Sequence, residues 1–189
     1  FAASVDQASL AAGQDMQLGL ITDFANLTLN AGGTVNMLAD TQLRGQRLSV
    51  NADDARLATA VSELSAQLTQ AQISEQDNLT IAGVNVAETI DLSAGGVVLT
   101  ASEAVLRATL LNLTADQLGQ LSEAASLQVE QVTLQVAGLV NLSDTDSLVI
   151  GESSIGSNAQ LVVQGSLSTA QSASLQVSGT LDLAAGDVG

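Results

Sequence analysis

The chain has 189 residues, with 20 acidic side chains against 4 basic ones, no His, Cys, Pro, Trp or Tyr, and a formal net charge of −16. The four basic residues are all arginines (Arg44, Arg47, Arg56, Arg107). This excludes thiolate and imidazole catalysis, zinc sites of the usual kind, lysine Schiff bases and P-loops, and leaves no basic face for nucleic acid.

Apolar residues make up 46% of the chain, yet the aromatics are only Phe1 and Phe24, so a core must be built from Leu, Val, Ile and Ala. Aliphatic interiors of that kind suit repetitive stacks. No stretch approaches the roughly 20 uninterrupted apolar residues of a membrane span, so no membrane insertion is expected. The absence of Cys rules out a disulfide-stapled domain. The start at Phe1, with no Met and no signal-like run, is what a processed secreted protein or an excised fragment would present.

In chain order, LTLNAGGTVNM (Leu27–Met37) and LSV (Leu48–Val50) alternate in the way strands do. A helical insertion is expected over 54–72, because Leu57, Val61, Leu64 and Leu68 fall at i, i+4, i+7 and i+11, with Asp53 or Asp54 as cap. LTIAG (Leu79–Gly83) and IDLSAGGVVL (Ile90–Leu99) again read as strands. A second helical insertion is expected over 101–124, where Thr100–Glu103 and Thr114–Gln117 match capping boxes, with a break near Asn112.

The final third carries the clearest pattern, Leu-x-Val-x-Gly-x-Leu-x-Leu. It begins at Leu134, Leu148, Leu161 and Leu175, as LQVAGLVNL, LVIGESSIG, LVVQGSLST and LQVSGTLDL. Period-2 alternation at regular spacing is a β-repeat. Gly138, Gly165 and Gly179 share the parity of the inward Leu and Val, which suits corners of a coil better than the middle of a flat strand. The fold expected is mainly β: a parallel β-solenoid (β-helix-like repeats) with short helical insertions, as one domain over 1–189. An antiparallel β-sandwich of hairpins is the alternative.

These runs resemble the β-helical repeats of filamentous-haemagglutinin-type bacterial surface proteins. LTADQLGQLSEAASLQVEQVTLQV (Leu113–Val136) resembles the short-helix-plus-strand repeats of giant secreted bacterial adhesins. The resemblance implies an extracellular or cell-surface structural or adhesive role and supplies no binding residues.

Candidate sites are few. Asp144 and Asp146 could begin a calcium cage, but they lack the Gly and distal Glu of a known loop, and a turn between strands is the favoured reading. Asn26, Asn78, Asn112 and Asn141 each open an Asn-Leu-Thr/Ser triplet, formally a glycosylation acceptor. No catalytic residue is assigned, since the paired acids of a polysaccharide-acting β-helix would lack aromatic and basic partners here.

The leading expectation is an extracellular structural protein without catalysis, a self-assembling filament subunit or adhesin stalk segment. Its partner is itself, head to tail through the chain ends, where LAAG recurs at Leu10–Gly13 and Leu183–Gly186. A host or matrix surface is the other partner considered. The alternatives are a calcium-supported adhesin binding module and a polysaccharide-acting β-helix enzyme.

Overall fold

The structure, a computed structural model, describes residues 5–189. Its strands in chain order are β1 (Val5–Ala12), β2 (Met16–Leu18), β3 (Ile21–Ala31), β4 (Thr34–Met37), β5 (Leu43–Asn51), β6 (Asp54–Leu68) and β7 (Gln70–Glu75). There follow β8 (Leu79–Val86), β9 (Thr89–Ala94), β10 (Val97–Thr100), β11 (Leu106–Ala115), β12 (Gln117–Leu118) and β13 (Ala125–Val136). The last are β14 (Val140–Asp144), β15 (Leu148–Ile150), β16 (Ser153–Ile155), β17 (Ala159–Thr169), β18 (Leu175–Val177) and β19 (Leu181–Val188).

Every pairing between these strands is parallel, and each strand lies on one from the previous coil, for example β3 on β1, β5 on β3 and β11 on β9. The result is a parallel β-solenoid of about 10 turns. Parallel pairing throughout removes the antiparallel sandwich, which would need hairpin neighbours. The lone antiparallel contact among the described residues is a bridge between Gln120 and Glu123 in a loop.

The core is a set of aliphatic columns running along the axis. One reads Leu10, Leu29, Val50, Ala66, Val84, Leu106, Leu127, Asp144, Val163, Ala185, one residue per turn. A second stacks Phe24, Gly45 and Val61. Here the largest side chain meets the smallest, because a Cβ on Gly45 would run into the Phe24 ring and carbonyl oxygen. Coil length varies: 22 residues separate Ile21 from Leu43, but only 16 separate Leu43 from Thr59.

No helix occurs among the described residues, so the helical insertions expected over 54–72 and 101–124 are not formed. In β6 the buried positions are Ala55, Leu57, Thr59, Val61, Leu64, Ala66 and Leu68, which is period 2 with one step of three at a bend. Sampling that series at Leu57, Val61, Leu64 and Leu68 imitates a helical stripe; the small or polar inward residues Ala55, Thr59 and Ala66 hid the alternation. The second stretch is a turn, β11, β12 and the loop that leads into β13. Glu103, expected in a capping box, sits in a loop with φ of 65°, and Asn112, the expected break, lies mid-strand between Asp91 and Thr133 of adjoining turns. The same strands replace the short helix implied by the adhesin-like stretch Leu113–Val136.

Of the glycines expected at corners, Gly138 and Gly179 lie in turns between strands, whereas Gly165 lies within β17 at a register shift. At three corners an Asx side chain accepts the N–H of the residue one turn later: Asp15 from Thr34 (2.9 Å), Asn78 from Val97 (2.8 Å) and Asn158 from Thr180 (2.9 Å). The residue before each donor is Gly33, Gly96 or Gly179, and a Cβ there would fall on the Asx oxygen. The 14-residue motif spacing is therefore not the coil length. Leu175 stacks on Ser153, whose Oγ accepts the Leu134 N–H, so three motif spacings span two turns.

Candidate functional site

An aliphatic interior makes each buried polar side chain conspicuous. Those buried are Thr59, Glu75, Thr100, Asn141, Asp144 and Ser153. Each buried N–H in a solenoid needs an acceptor on the adjoining turn, and the need is acute where a neighbouring strand stops. β10 stops at Thr100, and the Thr100 Oγ1 accepts the Ser126 N–H at 2.9 Å. β15 and β16 are interrupted at Gly151–Glu152, and the Ser153 Oγ accepts from Leu134 N–H at 3.0 Å while donating to the Gly151 carbonyl.

The two carboxylates follow one plan. Glu75 ends β7 and is 3% exposed; its Oε2 accepts the Val61 N–H (3.0 Å) and its Oε1 the Asp77 N–H (3.1 Å). Asp144 ends β14 and is fully buried; its Oδ2 accepts the Val129 N–H (3.0 Å) and its Oδ1 the Asp146 N–H (2.8 Å). Glu75 carries a signal in the sequence that was missed: it follows Ala71 and Ile73 at the inward parity of β7.

Asp144 and Asp146 are close in sequence but differently employed. Asp144 sits in the core column between Leu127 and Val163, whereas the exposed Asp146 accepts the Gln128 Nε2 hydrogen at 2.7 Å. Among the described residues no three acidic side chains gather to hold a metal ion.

The Asn-Leu-Thr/Ser triplets follow from alternation. Their central residues Leu27, Leu79, Leu113 and Leu142 are core, and the flanking polar residues belong to the other face. Asn141 is itself buried, with its Nδ2 donating to the Gln120 carbonyl, and Asn78 is the corner acceptor described above. Asn112 donates to Asp91 Oδ1 at 2.7 Å; Asn26 is half-buried on β3.

Two open surface grooves carry charged side chains, beside a larger one of about 470 Å³ that is lined by Gln117, Gln120, Leu121 and Asn158 without any. One, about 340 Å³, is lined by Arg56, Gln72, Asp91 and Asn112 in register over four turns, beside the smaller Ala58, Ser74 and Ser93. Asp91 is its one carboxylate, so the two-acid arrangement of glycoside hydrolysis is not assembled there. The other, about 360 Å³, includes Arg107, Gln128, Glu130 and Asp146, and a hydrogen-bond chain runs from Arg107 Nε through Gln128 to Asp146. Both offer hydrogen bonds to a polar surface.

Burial pushes the Asp144 carboxyl above its ordinary value, against the opposing pull of the Asp146 and Val129 N–H groups; the Asp146 charge adds to the rise. A raised native pKa means the folded state binds its proton first on acidification, so this contribution to stability grows as pH falls through that pKa toward 3.8. Glu152, exposed and bonded to the Ser174 hydroxyl and N–H, is lowered and acts in the opposite sense. Acidification also relieves repulsion within a chain of net charge −16 and puts at risk only one ion pair among the described residues, Arg47–Glu63. The melting temperature should therefore rise as the pH is lowered from neutrality toward the titration of Asp144. A steady fall over that interval, measured by circular dichroism, would contradict this balance.

Comparison of the chain with protein-family models, characterised protein sequences and solved structures finds no match.

Proposed function

We propose that this chain is a non-catalytic structural rod of an extracellular or cell-surface assembly, a filament subunit or adhesin stalk segment that extends by stacking on further copies of itself. The observation that carries this reading is the state of the outermost turns. Leu10 is 37% exposed at one end, and Leu181 and Leu183 are 40% exposed at the other, although their respective column neighbours Leu29, Ala159 and Leu161 are 0%, 2% and 0% exposed. Among the described residues each of these is packed on one side only. A further turn of the same kind, β1 of another copy on β19, would continue both the columns and the parallel hydrogen bonding.

Such a contact joins unlike surfaces and does not close on itself, so it propagates in a line. Charge opposes it. At −16 the copies repel, and added salt screens that repulsion to within about 10 Å at 0.1 M. The interior, made almost wholly of interchangeable aliphatic side chains, suits a spacer whose property is length. The resemblance to filamentous-haemagglutinin-type repeats supports a surface location.

Negative-stain microscopy at low salt and at about 0.5 M salt tests the reading. Linear rods that lengthen with salt and protein concentration are expected. Particles of one length under all conditions would overturn self-stacking; if calcium then raised the melting temperature, the adhesin binding module would become the better account.

A further inference from the structure

A column of Leu, Val, Ile and Ala has a weakness: a strand displaced by two residues presents the same chemistry to its neighbours, so burial alone specifies register poorly. The danger is greatest where neighbouring strands differ in length. β6 and β13 are the two longest strands, at 15 and 12 residues, and each runs on past the end of a strand stacked upon it. β7 ends over Thr59 of β6, and β14 ends over Leu127 of β13. Two residues beyond those points, the N–H groups of Val61 and Val129 lie where the next strand has already turned away.

The terminal residues of the short strands are Glu75 and Asp144. Each accepts that stranded N–H with one oxygen, across 14 and 15 residues of chain, and with the other accepts the N–H two residues after itself. Two unrelated stretches of sequence thus arrive at one geometry. They do so on short coils, 16 residues from Thr59 to Glu75 and 17 from Leu127 to Asp144, against 22 from Ile21 to Leu43.

We propose that Glu75 and Asp144 are register pins, buried carboxylates that fix which residue of one turn lies on which residue of the next. In the native register each carboxylate meets two N–H groups. Displaced by two residues, it would be held in an aliphatic column without them, and a buried charge lacking partners is far more costly than a misplaced leucine. The pins act against slippage more than for overall stability, as buried polar residues do at fixed positions of other repetitive packings.

Amide hydrogen exchange followed by NMR on the parent and on single variants tests this. In E75Q one acceptor oxygen becomes an NH2 group, so either Val61 or Asp77 should exchange at least about tenfold faster, the factor that one charge-assisted hydrogen bond represents. Val129 and Asp146 should be unaffected, and D144N should give the mirror result. In E75L and D144L the strand signal in circular dichroism should persist while the amide signals of the adjoining turns split into several sets. A single set of signals with Val61 and Val129 protected as in the parent would overturn the proposal. If the leucine variants do not fold, the amide variants decide: unchanged protection at all four amides overturns it equally.

Discussion

Phe24→Ala should lower the free energy of unfolding by about 3–5 kcal/mol, measured by denaturant titration. Phe24 is the one aromatic in the described residues, is 2% exposed, and fills the space that Gly45 leaves in the same column. Truncation leaves a void that Gly45 cannot fill, and the solenoid can close it only by moving the backbone of two turns. The reciprocal change, Gly45→Val, overfills the site and should cost about 1–3 kcal/mol or more. Because the two sites share one space, the double variant should lose less than the sum. Relief will be partial, since the added carbon also meets the Phe24 carbonyl. A loss under about 1 kcal/mol for Phe24→Ala would mean that this end of the stack is not packed as described.

Leu134→Asp should be the most damaging single change, costing several kcal/mol through a buried charge without a partner. Leu134 is 0% exposed, and its neighbours on β11 and β13 have their backbone groups committed to the ladder. The comparison with Asp144 is instructive, because that residue is equally buried and of the same type. Asp144 is tolerated because two N–H groups are waiting for it where β14 ends. At Leu134 the break between β15 and β16 is already occupied, because the Ser153 hydroxyl accepts the Leu134 N–H, so no pair of N–H groups waits for an added carboxylate. Since each turn touches only its neighbours, the lesion should uncouple the two halves of the rod and broaden or split the unfolding transition. A single transition near the parental midpoint would contradict the assignment of this column.

The fold was legible where inward residues were large and evenly spaced. From Leu134 onward the alternation is carried by Leu, Val and Ile, and the strands expected there form. Between Asp54 and Leu68 the same alternation is carried partly by Ala55, Thr59 and Ala66, and a three-residue step at the bend shifts its phase. Period-2 burial then imitates a helix. The coil length was not legible, because loops and corners consume different numbers of residues on each turn. Asp144 was noticed for its charge and assigned to a turn or a cation, yet its use is set by the end of β14, which is a property of the stack. Glu75 escaped for the same reason. The four Asn-Leu-Thr/Ser triplets were legible as motifs, and their number reflects leucines pointing inward between polar neighbours.

The coil itself is open to a direct test, because the chain contains no cysteine and engineered pairs are free of competing thiols. Ser49 and Ser65 are outward-facing partners on β5 and β6. Parallel neighbours lie about 4.8 Å apart, within the Cα separation a disulfide requires. Ser49→Cys/Ser65→Cys should oxidise readily to an intramolecular disulfide, read as a mass loss of two hydrogens and a shift on a non-reducing gel. Ser49→Cys/Arg107→Cys, with partners several turns apart, should remain reduced under the same conditions. Failure of the first pair to close, or closure of the second, would contradict a parallel coil with this register.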